Sequence, residues 1–193
     1  MSTIKKFKTL AISISTVLLL GISNNAKAGI FVDPYLGYNV GWLTESVTVG
    51  STTVDVDYAD TGIIYGGRAG LKTLGFMFGL DYSMGSALKA TPVASLVSGY
   101  TTTTVKYDVS YMGAFVGYEL PFLLRAWLTY HFDVGMDVEG SSTPIEGSST
   151  TVGVGFTGLP LVSLNAEYRM VSLDNDTLDY KALLLSVSLP FSF

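Results

Sequence analysis

The chain has no cysteine, one histidine and few charges, with 14% of its residues Asp, Glu, Lys or Arg. Without cysteine it has no disulfide framework and no lipid-attachment residue, so an exported form must hold together by packing and hydrogen bonds. At 48% hydrophobic residues it is too apolar for disorder, and 21 glycines in 193 residues are too many for a helical bundle. Long apolar runs are missing too. The stretch from Leu10 to Ile22 falls short of the ~20 residues that a membrane-crossing helix needs, and nothing after it approaches that length.

That stretch follows Lys5, Lys6 and Lys8 and leads to Ala26-Lys27-Ala28, the three-part pattern of a secretory signal peptide with an A-x-A cleavage site. Residues 1–28 are therefore expected to be a cleaved leader, and 29–193 the mature domain. Removing the four leader lysines leaves seven basic residues against 16 acidic ones, a net charge of about −9. Such a balance argues against a nucleic-acid partner.

What the mature chain has instead is alternation, the mark of strands with two different faces. From Val32 to Trp42 the even positions are mostly apolar (Val32, Leu36, Tyr38, Val40, Trp42), while the odd ones include Asp33, Gly37, Asn39 and Gly41. Ile63 to Lys72 and Phe76 to Gly85 repeat the pattern, with Arg68 and Asp81 on the polar parity. Leu124 to Met136 sets Leu124, Ala126, Leu128, Tyr130, Phe132, Val134 and Met136 against Arg125, Trp127, Thr129, His131, Asp133 and Gly135. Thr151 to Thr157, Val162 to Met170 and Ala182 to Phe193 complete the regular strands. Between Val105 and Leu120, Tyr107, Val109 and Tyr111 share one parity and Met112, Ala114, Val116 and Tyr118 the other, which predicts a β-bulge near Tyr111-Met112.

The connectors alternate as well. Short ones (Leu74-Gly75, Pro121-Phe122-Leu123, Leu159-Pro160-Leu161) follow strands two, four and six, and longer polar ones (44–60, 86–104, 139–149, 173–179) follow the others. The polar parities are crowded with glycine, and the apolar ones carry aromatics near strand ends: Trp42, Phe76, Phe78, Tyr107, Tyr118, Phe191 and Phe193. Aromatic girdles around an apolar band fit two membrane interfaces, and strands can cross lipid only as a closed barrel. The expected fold is therefore all-β, an eight-stranded antiparallel up-and-down transmembrane β-barrel with the long loops outside.

With its leader, eight alternating strands and a final strand ending Leu185-x-Val187-x-Leu189-x-Phe191-x-Phe193, the chain resembles the small OmpA/OmpX-like outer-membrane β-barrel proteins of Gram-negative bacteria. The resemblance implies export to the outer membrane and contact with its lipids, lipopolysaccharide included. It also implies recognition of Val187, Leu189, Phe191 and Phe193 by the barrel-assembly machinery. It is one of architecture and C-terminal pattern, with no loop motif to mark a subfamily. A monomer is expected.

If the apolar parity meets lipid, the lumen receives Asp33, Arg68, Lys72, Asp81, Glu119, Arg125, His131, Asp133, Glu167 and Arg169. Hairpin register predicts Arg68 opposite Asp81 and Glu119 opposite Arg125, two expected salt bridges. It also sets Gly117 against Trp127, Gly113 against His131 and Gly153 against Glu167. Two readings of this interior stay open. Its charges form a satisfied plug in a barrel working structurally or through its surface, or its glycines leave a narrow passive channel for ions or small solutes. A third reading, a lipid-modifying or hydrolytic enzyme, rests on His131 with Asp133 two residues on, and is weak because the pair lies mid-strand facing inward. No catalytic, cofactor-binding or metal site is assigned, Asp174-Asn175-Asp176 lacking the glycine and glutamate of a calcium loop. Glu45, Asp55, Asp57, Asp60, Glu139, Glu146, Asp174, Asp176 and Asp179 predict an acidic outer surface.

Overall fold

A computed structural model describes residues 28–49, 52–92, 106–120, 123–139, 144–174 and 178–193, with only the backbone described for 45–49, 52–57, 87–92 and 178–179. The expected leader, residues 1–28, lies outside the described residues except for Ala28. The strands are β1 (Gly29–Val49), β2 (Thr52–Thr73), β3 (Phe76–Pro92), β4 (Lys106–Leu120), β5 (Leu124–Val138), β6 (Ile145–Phe156), β7 (Ser163–Leu173), β8 (Leu178–Ser188) and the two-residue β9 (Phe191–Ser192). Each of β1 to β7 pairs antiparallel with the next, and β1 pairs with both β2 and β8, so the sheet closes on itself. β9 continues the path of β8 along β1, and the wall is the expected eight-stranded antiparallel barrel.

The break between β8 and β9 has a covalent cause. Neither Pro34 nor Pro190 carries an N–H, so the ladder thins where they meet; the Leu189 N–H donates to the Pro34 carbonyl at 3.0 Å, and pairing resumes with Phe191 opposite Val32.

Alternation decides what each face meets. Leu124, Leu128, Tyr130 and Phe132 on β5 are exposed outward, as are Leu164, Tyr168 and Met170 on β7. Nine residues of β5 cover ~30 Å of strand, or about 23 Å of height at a typical tilt, close to the apolar band of a membrane barrel. The inside holds a level of charged and hydroxyl side chains and, beside it, an apolar cluster. This is the reverse of a water-soluble protein. Hydrocarbon satisfies the outer face, and closure leaves no unpaired sheet edge in it.

Three tight turns close one end. Leu74 and Gly75 have φ of 50° and 85°, both positive as a two-residue type I′ hairpin requires. Leu123 (φ 61°) and Leu161 (φ 68°) also lie in the left-handed region. For a residue with a Cβ that conformation costs roughly 1–2 kcal/mol, which glycine avoids. The observed registers, Glu119 opposite Arg125 and Gly153 opposite Glu167, are those expected from turns centred on 122 and 160. Pro121 and Phe122 themselves lie outside the described residues.

At the other end the strands run further than expected. Most of 44–60 is not loop but the paired ends of β1 and β2, which stay in register to Val49 opposite Thr52. β3 continues to Pro92, and β6 begins at Ile145. The Ser, Thr and Asp of 44–60 read as loop by polarity, while its Val and Thr favour strand.

The predicted bulge also falls elsewhere. Register shifts between Met112 and Gly113 on β4, and β6 shows a shift opposite the same part of β5, so the extra residue belongs to β5. β4 keeps one phase throughout, with Val109, Tyr111, Gly113, Phe115 and Gly117 buried inside. On β5, Phe132 and Asp133 both face out, after which Val134 and Met136 are buried. Thus Tyr107, Val109, Tyr111, Val134 and Met136, expected on the lipid face, point inward, and Asp133, expected in the lumen, is on the outer wall. Apolarity misled here because this stretch of interior is itself apolar: Val109, Tyr111, Val134 and Met136 pack with Ile64, Val171, Tyr180 and Leu184.

Inward glycines make room for large neighbours. A Cβ built on Gly153 would collide with the Trp127 indole. Gly153→Leu should therefore destabilise the folded barrel by ~1–3 kcal/mol through overpacking, measured as a shift in the urea midpoint of vesicle-embedded protein. An unchanged midpoint would show that the interior can yield at this point.

Candidate functional site

One level of the interior gathers most of the buried charge. Asp33, Arg68 and Asp81 stand side by side on β1, β2 and β3, and the row continues through Gly113 on β4 to His131 on β5. Because Gly113 has no side chain, Asp81 and His131 face each other across it, with Asp81 Oδ1 3.9 Å from His131 Nε2. Glu167 and Arg169 enter from β7 and Arg125 from β5.

Arg68 is the centre. Its Nη1 donates to Asp33 Oδ2 at 3.0 Å, its Nε to Asp81 Oδ2 at 3.0 Å, and its Nη2 to Glu167 across the lumen. Its guanidinium also lies 4.3 Å from the Trp127 ring centroid and 4.8 Å from that of Tyr35, whose hydroxyl donates to Asp81 at 3.0 Å. Arg125 pairs with Asp33 at 2.8 Å, joining strands on opposite sides of the barrel, and donates to Asn165 and Ser188. Arg169 donates to Glu167 at 3.1 Å and lies over the Tyr111 ring. Three guanidinium groups thus face three carboxylates, and the cluster is neutral when His131 is neutral. None of these charged side chains is more than 2% exposed. The level is filled from wall to wall.

Of the residues expected to form a lumenal network, Asp33, Arg68, Asp81, Arg125, His131, Glu167 and Arg169 come together here. Arg68 pairs with Asp81 as register predicted. Glu119 does not pair with Arg125 although it lies opposite; it binds Lys72 near the turn end, where both are partly exposed, while Arg125 turns to Asp33. Asp133 is excluded from the network, so the His131 and Asp133 pair is split between two faces of the sheet. Among the described residues no group of three or more His, Asp or Glu side chains is arranged to hold a metal ion. Val187, Leu189, Phe191 and Phe193 are exposed along the outer face of the last strand and its continuation.

A second cluster was not foreseen. Asp60, expected on the acidic outer surface, is buried inside the barrel, accepting from the Tyr107 hydroxyl and, at 3.0 Å, from that of Tyr180, which in turn accepts from Asn39 at 3.0 Å. Continuing the inward parity of β2 from Arg68 through Gly66, Ile64 and Gly62 reaches Asp60, and that extension was the available signal. Glu139, Glu146 and Asp174 are exposed at the loop end, and the bulge puts Asp133 on the same outer face as the paired Asp108 and Asp137. Glu45, Asp55, Asp57 and Asp179 sit in segments of described backbone, and Asn175 and Asp176 lie outside the described residues.

No protein-family profile and no curated protein sequence matches the chain. Solved structures do. Ail, the attachment invasion locus protein of Yersinia pestis, solved in complex with the heparin analogue sucrose octasulfate, superposes with a TM-score of 0.54 at 12% identity, covering 84% of this chain and 99% of that one. Neisserial surface protein A gives a TM-score of 0.46 at 17% identity, over 82% of this chain and 97% of that one. At such identities the likeness is one of fold: the chain has the architecture of the small outer-membrane β-barrels.

Removing Arg68 takes a partner from each of three buried carboxylates. Arg68→Met should cost ~3–5 kcal/mol, whereas Glu119→Gln, at a partly exposed pair, should cost less than ~1 kcal/mol. Denaturant unfolding of the two variants in vesicles, followed by tryptophan fluorescence, compares them directly. Equal losses would contradict the central place given to Arg68.

Proposed function

We propose that this chain is an outer-membrane β-barrel protein with a structural or surface-interaction role, acting through its acidic loop end and not by transport through its lumen. The sealed charge level carries this reading. A water-filled path needs space along the axis, and at this level salt-bridged arginines and Trp127 occupy it, with side chains at most 5% exposed. The alternative of a narrow passive channel loses its support at that point. An enzymatic role loses its best candidate pair, since His131 is fully buried and Asp133 faces the other way.

In this reading the tight turns and both ends of the barrel domain lie on the periplasmic side, and the long loops project from the cell. Lipid, including lipopolysaccharide, surrounds a monomeric barrel. Its partners during assembly are the machinery that reads Val187, Leu189, Phe191 and Phe193, and nucleic acid is not among its ligands. The sulfated sugar bound by Ail sets a useful contrast. A loop end bearing Glu139, Glu146 and Asp174, on a domain of net charge about −9, repels a polysulfate and favours a basic surface.

Vesicles carrying the folded barrel should therefore bind polylysine at low ionic strength, release it as salt rises, and ignore heparin. The variant Glu139→Gln, Glu146→Gln, Asp174→Asn should bind polylysine several-fold more weakly. Heparin binding, or polylysine binding indifferent to these substitutions, would overturn the proposal.

A further inference from the structure

The two ends of the barrel differ in chemistry. At the turn end the tips carry Leu74, Leu123, Leu159 and Leu161, with Phe193 beside them, and the first and fourth of these leucines are 79% and 82% exposed. Among the described residues the three tips, 73–75, 123 and 157–162, hold no charged side chain. Turns that meet water usually carry Asn, Asp, Gly or Ser, the residues that tolerate these backbone conformations and hydrogen-bond locally.

Leucine is also the wrong residue for the backbone. Leu74, Leu123 and Leu161 all have positive φ, where asparagine or glycine would sit with less strain. The same mismatch at three separate turns calls for a shared environment that favours an apolar side chain. The backbone of the tips is also held in place. Gly75 O accepts from Glu119 N at 2.8 Å, and Leu123 O accepts from Thr157 N at 2.7 Å, so the first turn is tied to β4 and the second to the third.

We propose that the turn end is a lipid-inserted surface: its leucine tips lie within the phospholipid leaflet on that side, at the level where headgroups give way to acyl chains, and not in the periplasm. This rests on the membrane reading above. The occupant follows from continuity. The tips extend the outward apolar face of β2, β5 and β7, through Leu71, Leu124 and Leu164, with Thr73 the one polar residue on that parity between Leu71 and Leu74. Aromatic rings mark the same level, Phe76 packing on Tyr118 at 4.7 Å and Phe191 on Phe193 at 6.5 Å, as at a membrane interface. The barrel then grips this leaflet with its turns as well as its wall, and only its loop end is fully in water.

A chain without cysteine makes the test clean. Single variants Leu74→Cys and Leu161→Cys, with Leu159→Cys as a tip of ordinary φ and Glu139→Cys as the loop-end control, are labelled with a polarity-sensitive fluorophore and folded into phosphatidylcholine vesicles. Heat-dependent electrophoretic mobility checks folding and insertion. The expected result is a blue-shifted emission at the three tips, quenching by lipids brominated near the headgroup, and a several-fold loss of iodide quenching relative to Glu139→Cys. Tips as open to iodide as the control, in folded and inserted protein, would overturn the proposal, whether water or an absent protein partner normally covers them. Failure of the unsubstituted chain to insert would instead defeat the membrane reading beneath it.

Discussion

The Arg68 guanidinium is the constraint around which the interior is arranged. It meets Asp33, Asp81 and Glu167 from three strands while Trp127 and Tyr35 cover its faces, so removing it touches almost every other buried charge. A buried ion pair is weak evidence of stability in itself, since desolvation offsets much of the attraction. Its value here is positional. A planar group with five donors can bind several carboxylates in only one orientation, and that orientation fixes strands β1, β2, β3 and β7 relative to one another.

From that charge knot the rest of the molecule divides by solvent. The outer wall is apolar because it meets hydrocarbon, closure hides a charged level inside, and the inward Gly153 and Gly155 leave room for Trp127 and Arg125. Toward the loops a more apolar layer of Ile64, Val109, Tyr111, Val134 and Tyr180 follows, closed by Asp60 between two tyrosines. On the proposed function the ends and not the lumen carry the activity, one end lined with leucine and the other with carboxylates.

Much of this was legible in the amino-acid order. Strand number, closure, the tight turns and the hairpin registers follow from period-two alternation and turn spacing, and Arg68 opposite Asp81 follows from register alone. Other features needed the third dimension. Parity assigns a face only while the two faces differ in polarity, so Tyr111 and Val134, apolar but internal, displaced the bulge by one strand and put Asp133 on the wrong side. Partners across the lumen are invisible to hairpin register. Arg125 has Glu119 as its neighbour on the sheet but Asp33 as its partner across the barrel, and Asp60 looked like loop because the strands outrun the lipid.

The sealed interior is tested most directly by single-channel recording of residues 29–193 folded into a planar lipid bilayer. Verified, inserted barrels should show no discrete conductance steps, because ions find no water-filled route past Arg68 and Trp127. Reproducible steps from unsubstituted protein would mean that the charge knot opens, and would contradict the account at its centre.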